Sequence, residues 1–196
     1  MKTDIILAGV GGQGILSIAT ILGAAALAEN LYLKQAEVHG MSQRGGDVQS
    51  NLRISDKPIA SDLIPLGGAD IIVSLEPMEA LRYVPYLSEN GWIVTNTTPF
   101  ENIPDYPDMR AIEAELESFP NVVAFDMDAA AKEVATARAS NMVLLGAAAP
   151  FTGIAPEKIE EGIKTVFGRK GEAVVESNLA AFRAGLRRAQ SGIEKA

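Results

Sequence analysis

"DIILAGVGGQGILSIATILGAAALA", residues 4–28, decides the fold of this chain. Ile5, Ile6, Leu7 and Ala8 are apolar at consecutive positions, which suits a strand covered on both faces, as in a parallel sheet. Gly9, Gly11 and Gly14 then follow the spacing G-x-G-x-x-G. Beyond them Ile15, Ile18, Leu22 and Ala25 recur at helical spacing, which predicts a helix over 12–29 packed on the sheet. A strand, a tight glycine turn and a helix in this order open a Rossmann-like α/β fold. The start of such a helix presents unpaired backbone N–H groups and partial positive charge, so an anion or a polar acyl group can dock there. The turn is not a phosphate loop of the Walker type, because Ile15 and Leu16 stand where lysine and serine or threonine are needed.

Outward from this unit, residues 33–39 (LKQAEVH) predict a second strand. A strand–turn–helix–strand unit is normally right-handed with parallel strands. Residues 40–46 (GMSQRGG) have the composition of a loop. Residues 47–55 alternate, with Val48, Leu52 and Ile54 on one face and Gln49, Asn51 and Arg53 on the other, the period of a half-exposed strand. Asp56-Lys57-Pro58 predicts a turn, with Ile59-Ala60 returning as a short partner strand. The parallel pattern resumes with a strand at 69–75 (ADIIVSL) and a helix opened by Glu76-Pro77. Strands follow at 92–95 and 122–125, separated by a proline-bearing loop over 98–108. Helices are expected near 128–137, 140–149, 156–167 and 172–190. The pattern as a whole predicts a three-layer α/β/α domain with a mixed, mostly parallel sheet and an antiparallel excursion near residues 46–60. One domain over 1–190 with a frayed tail at 191–196 is expected.

Composition narrows the chemistry. A chain of 196 residues, 47% hydrophobic and 21% charged, has an ordinary globular make-up. A formal net charge of -8 argues against nucleic acid or an anionic membrane as the main partner. There is no cysteine, hence no disulfide, no thiol nucleophile and no cysteine-ligated iron–sulfur cluster. A single histidine, His39, cannot build a histidine-rich metal site. Neither a catalytic residue nor a metal ligand set is assigned. Residues 5–28 carry no charge, but the glycine turn interrupts them and Ile15–Ala28 falls short of the roughly 20 residues of a spanning helix. A cytoplasmic location is expected.

The candidate site residues fall in two stretches. Gly9, Gly11, Gly12, Gln13 and Gly14 make the turn. The second stretch, EVHGMSQRGG, places Glu37, His39, Ser42, Gln43 and Arg44 just before Gly45 and Gly46. A dinucleotide site needs an acid about 20 residues past the turn, at the end of the second strand, and Glu37 is the candidate. Arg44 offers a planar fork to a carboxylate or phosphate, and the two glycines let backbone come close to a ligand or partner. His39 reads either as a packed residue or as a contact to substrate. Glu113, Glu115 and Glu117 suit a solvated helix face; so do Arg183, Arg187 and Arg188, with subunit docking as an alternative. Two functions stay open on the residues alone: a stand-alone NAD(P)-binding oxidoreductase resting on Gly9, Gly11, Gly14 and Glu37, and a non-enzymatic ligand-binding module.

GVGGQGI, SQRGGDVQSNLRIS and ADIIVSLEPMEAL, in this order and spacing, resemble the gamma subunit or domain of the 2-oxoacid:ferredoxin oxidoreductases. AEVHGMSQRGG points within them to the small beta subunit of the indolepyruvate branch. The likeness runs over most of the chain. It implies a Rossmann-like domain that binds no nicotinamide and no cofactor of its own. It further implies a larger partner subunit carrying thiamine diphosphate, magnesium and iron–sulfur clusters, with coenzyme A as cosubstrate and ferredoxin reached through the complex. By motif position, Gly11 to Gly14 would form the turn, and Ser42, Gln43, Arg44, Gly45 and Gly46 a loop facing the partner's active site. No nucleic acid and no membrane enter this picture.

Overall fold

A computed structural model describes residues 1–39, 45–101 and 103–193. Among these residues six strands form one sheet: β1 (Lys2–Val10), β2 (Tyr32–His39), β3 (Asp47–Ser55), β4 (Ala69–Ser74), β5 (Leu87–Asn96) and β6 (Val122–Phe125), in the order β2-β3-β1-β4-β5-β6. β1, β4, β5 and β6 pair parallel, whereas β3 runs antiparallel to both β1 and β2. Among the described residues seven α-helices accompany the sheet: α1 (Ile15–Ala28), α2 (Pro77–Arg82), α3 (Met109–Glu117), α4 (Met127–Val134), α5 (Ser140–Ala148), α6 (Pro156–Phe167) and α7 (Glu172–Ile193).

The two-residue period of β1 creates the layers. Ile5 and Leu7 pack into one core with α1, α4, α5, α6 and α7, through Ile18, Leu22, Leu144, Ile163 and Phe182. Ile6 and Ala8 face a second, smaller core with α2 and α3, through Ala80, Ile112 and Leu116. The expected three-layer α/β/α arrangement with a mixed sheet is therefore what forms. Glu76 caps α2, its carboxylate accepting from Glu79 N–H at 2.8 Å, and Pro77 takes the first helical position.

The antiparallel excursion differs from expectation in three respects. β2 runs in the same direction as β1 but is not its neighbour, because β3 is inserted between them. β3 is therefore central and buried on both faces, not half-exposed: Asn51 is as enclosed as Leu52, and its Oδ1 accepts from Ile64 N–H at 3.1 Å. Ile59-Ala60 forms no strand, since both edges of β3 are already occupied. Residues 56–68 instead lie as a connection tied to the sheet by side chains, with Lys34 Nζ donating to the Ala60 carbonyl at 3.2 Å and Arg53 Nη1 to the Leu63 carbonyl at 2.9 Å.

The basic residues of α7 do more than face solvent. Arg183 forms a forked pair with Glu160 of α6, at 2.7 and 2.6 Å. Arg188 reaches Glu133 of α4 at 2.9 Å and lies over the Phe125 ring at 5.5 Å. α7 continues to Ile193, past the expected end at 190. Glu113, Glu115 and Glu117 are exposed along α3.

Candidate functional site

Insertion of β3 brings the two sequence motifs together. The end of β2 and the start of β3 lie at the carboxyl end of β1, because Val10 is paired with Asp47 and His39 with Val48. Gly11 N–H donates to the Gly46 carbonyl at 2.8 Å, and Gly45 N–H donates to the Gly11 carbonyl at 3.3 Å. The glycine turn and the end of the RGG stretch are thus joined by two reciprocal backbone hydrogen bonds. Side chains at these positions are not needed for that contact. Ser42, Gln43 and Arg44 lie outside the described residues, and His39 is placed by its backbone alone.

Gly14 is the N-cap of α1 with φ 88, in the left-handed region that glycine adopts without penalty. A Cβ there would also come within 2.9 Å of Asn141 Nδ2. Having no side chain, Gly14 leaves the first turn of α1 without a side-chain cap, and no acidic residue occupies that turn. The first N–H groups of an α-helix lack intrahelical partners, so this end of α1 offers donors and positive potential to a ligand. Beside it lies a cavity of about 360 Å³, lined among the described residues by Val10, Gly11, Gly12, Gly14, Ile15, Leu16, Glu37 and Val48. The walls are apolar side chains, with glycine backbone and one carboxylate as the polar elements.

Gln13 belongs to the turn but is turned inward. Its Oε1 accepts from Val10 N–H at 2.7 Å and its Nε2 donates to the Leu75 carbonyl at 3.3 Å. A Cβ on Gly9 would come within 3.0 Å of that Oε1, so the Gln13 side chain would have to give by a few tenths of an ångström. Asn141, at the start of α5, donates through Nδ2 to the Gly14 carbonyl at 3.3 Å. In the sequence Asn141 carries no signal beyond being a polar residue at the head of the apolar run MVLLGAAA.

On the other side of the turn, past β4, the sheet edge is acidic. Glu76 is fully buried; its carboxylate accepts from Tyr106 Oη, from Phe100 N–H at 3.3 Å and from Glu79 N–H at 2.8 Å. Burial pushes the Glu79 carboxyl up in pKa despite its fork with Arg82 at 2.7 Å. Burial, reinforced by nearby carboxylates, raises the Tyr83 and Tyr106 phenols, so both remain hydroxyl donors. Tyr83 Oη lies 3.4 Å from Asp47 Oδ2. An anionic ligand is therefore disfavoured here, and the α1 terminus is the side of the edge suited to it.

The dinucleotide arrangement is not reproduced. In that arrangement the acid closes the strand next to β1, whereas Glu37 stands two strands away, displaced sideways by about 9–10 Å. Glu37 does reach the cavity wall. With no cysteine in the chain, and no cluster of three or more His, Asp or Glu residues able to hold a metal among the described residues, the donor set does not fit an iron–sulfur cluster. Among the described residues no helix is long and apolar enough to cross a membrane.

Comparison with known proteins gives a consistent result. Residues 4–188 match the pyruvate ferredoxin/flavodoxin oxidoreductase family. The chain is 36% identical over 204 residues to the indolepyruvate oxidoreductase subunit IorB of Archaeoglobus fulgidus, covering 98% of each chain. Its fold is similar to the gamma subunit of a keto/oxoacid ferredoxin oxidoreductase from Geobacter sulfurreducens, with a TM-score of 0.70, 26% identity and coverage of 96% of this chain and 99% of that one. It is also similar to the 2-oxoglutarate:ferredoxin oxidoreductase of Magnetococcus marinus, solved with 2-oxoglutarate, coenzyme A and succinyl-CoA bound. There the TM-score is 0.76 at 25% identity, and 97% of this chain corresponds to 31% of that one.

Proposed function

The chain belongs to the pyruvate ferredoxin/flavodoxin oxidoreductase family, and from that premise we propose that it is the accessory, gamma-type subunit of an indolepyruvate-oxidising complex. In that complex a 2-oxoacid loses carbon dioxide, its acyl group passes to coenzyme A, and two electrons go to ferredoxin. Thiamine diphosphate, magnesium and the clusters are held by a larger partner subunit. This chain contributes a shaped wall on the coenzyme A side of the active site.

The observation that carries this reading is the pair of hydrogen bonds joining Gly11 to Gly45 and Gly46 beside the cavity. It makes one surface of two motifs that are far apart in sequence. That surface supplies backbone donors and an apolar wall, and it supplies no electron carrier. Such a surface suits the amide-bearing arm and phosphates of coenzyme A, with Arg44, next in sequence to Gly45, as the cation suited to a phosphate. The indolepyruvate assignment rests on the IorB relatives, which match over nearly their whole length at 35–36% identity.

Leu16 tests the cavity directly. It lines the cavity and is 40% exposed, so a larger side chain there narrows the cavity without disturbing the core. In the assembled complex, Leu16→Trp is expected to raise the KM for coenzyme A about tenfold while leaving the KM for indolepyruvate within about twofold. An unchanged KM for coenzyme A would remove the cavity from this role. The isolated chain is expected to turn over nothing, and tight binding of NADH or NADPH to it in calorimetry would favour a nicotinamide enzyme instead.

A further inference from the structure

The shape of the glycine turn is held from two sides by side-chain amides. On one side, Gln13 connects the last residue of β1 to the residue after β4 and closes back on the turn: its Oε1 takes Val10 N–H at 2.7 Å and its Nε2 reaches the Leu75 carbonyl at 3.3 Å. On the other side, Asn141 Nδ2 holds the Gly14 carbonyl at 3.3 Å, tying the N-cap of α1 to α5. Between these anchors lie Gly11 and Gly12, whose backbone lines the cavity; Gln13 and Asn141 are not among the described lining residues. Residues with no side chain have many accessible conformations, so the direction of the Gly12 and Gly14 N–H groups, which the bonds to Gly46 and Val10 do not fix, depends on the anchors.

We infer that Gln13 and Asn141 are positioning residues, which aim the backbone N–H groups of Gly12 and Gly14 at the bound cosubstrate without touching it, those of Gly11 and Gln13 being held by the Gly46 and Val10 carbonyls at 2.8 and 3.1 Å. This rests on the proposal that coenzyme A is held at this turn. Donors fixed before binding cost less ordering when the ligand arrives. Releasing either anchor weakens binding of coenzyme A and leaves the partner's chemistry on the 2-oxoacid intact.

The variants Gln13→Glu, Gln13→Met and Asn141→Ala in the assembled complex test this, with turnover followed by ferredoxin reduction and assembly checked by gel filtration. Each is expected to raise the KM for coenzyme A about tenfold, with kcat at saturating coenzyme A and the KM for indolepyruvate unchanged. Gln13→Glu adds a pH readout. An ionised carboxylate accepts from Val10 N–H but cannot donate to the Leu75 carbonyl, whereas the carboxylic acid does both. Its excess KM over wild type therefore shrinks only as pH falls into the range where that carboxylate takes up a proton, about pH 4–5 for an ordinary glutamate. If Gln13→Met fails to assemble, Gln13→Glu, which keeps the shape, still decides.

Wild-type KM values in Gln13→Glu and Asn141→Ala, alongside a raised value in Leu16→Trp, would overturn the inference and leave the cavity assignment standing. Raised values in the anchor variants with a silent Leu16→Trp would support the anchors and move coenzyme A out of the cavity onto the turn alone. Silence in all of them would overturn both. An excess KM in Gln13→Glu that does not shrink on acidification through that range would also count against the clamp.

Discussion

Gly146→Val is expected to remove most of the stability of this domain. α5 and α7 cross with their backbones in contact. A Cβ at Gly146 would lie 1.9 Å from the Phe182 carbonyl oxygen, and one at Gly185 would lie 1.9 Å from the Val143 carbonyl oxygen. Both obstacles are main chain, so no rotamer change relieves them, and the helices must separate. Ordinary overpacking costs about 1–3 kcal/mol because side chains can shift; parting two helices that also bury Leu144 and Phe182 is expected to cost about 4 kcal/mol or more. Net stabilities of about 5–15 kcal/mol leave little after such a loss. Gly146→Ala decides between effects of opposite sign. Alanine favours a helix by about 1 kcal/mol over glycine, yet steric overlap should win, and urea unfolding should show a loss of about 2 kcal/mol or more. Gly168→Ala is the control, since a Cβ there meets nothing within 4 Å and the expected change is within about 0.5 kcal/mol. A Gly146→Ala variant as stable as wild type would refute this account of the helix layer.

Arg53→Ala is the second large effect. Asp4 is buried on β1 at 1% exposure, and Arg53 of β3 grips it with a fork, Nε to Oδ1 at 2.8 Å and Nη2 to Oδ2 at 2.9 Å. Burial alone raises the Asp4 carboxyl, but the hydrogen bonds and charges of Arg53 and Lys2 outweigh it and hold the group below the usual carboxylate range. The stabilisation is thus fully present above the ordinary aspartate pKa and is lost as pH falls through the depressed folded value. Removing Arg53 leaves a buried carboxylate with the exposed Lys2 as its only cationic partner among the described residues, and frees the Ser61 and Leu63 carbonyls that pinned the 56–68 connection. A loss of about 3 kcal/mol near neutrality is expected. Burial then dominates and raises the Asp4 pKa, so the deficit narrows as acid neutralises the group. Urea unfolding near pH 7 and near pH 4 measures this. Adding Asp4→Asn to Arg53→Ala should recover part of the loss; a double variant less stable than Arg53→Ala would contradict the assignment.

The core of the fold was legible because its determinants are local. The apolar run of β1, the glycine turn and the helical spacing of α1 each specify their own element, and Ile15–Ala28 forms within the expected 12–29. Neighbour relations were less legible. A two-residue period in 47–55 shows a strand but not how many partners it has, and β3 became central because β2 and β1 flank it. The short return at Ile59-Ala60 failed for the same reason. At the site, the sequence named the glycines and Gln13 but not the contacts of Gln13 or the part of Asn141. The Gln13–Leu75 and Asn141–Gly14 contacts join residues 62 and 127 positions apart, and only the folded sheet edge brings them together. Glu37 reached the cavity, though by a route unlike that of a dinucleotide site.

The central claim is that this chain forms the coenzyme A wall of an active site whose chemistry is housed in a larger subunit. Hydrogen exchange on the assembled, active complex, with and without coenzyme A, tests it most directly. The account predicts slowed exchange at the amides of residues 10–16 and 45–48 when coenzyme A is added, with the edge beyond β4 at Glu76 and Tyr83 unchanged. A complex that turns over indolepyruvate and coenzyme A while those amides exchange at the same rate throughout would contradict it.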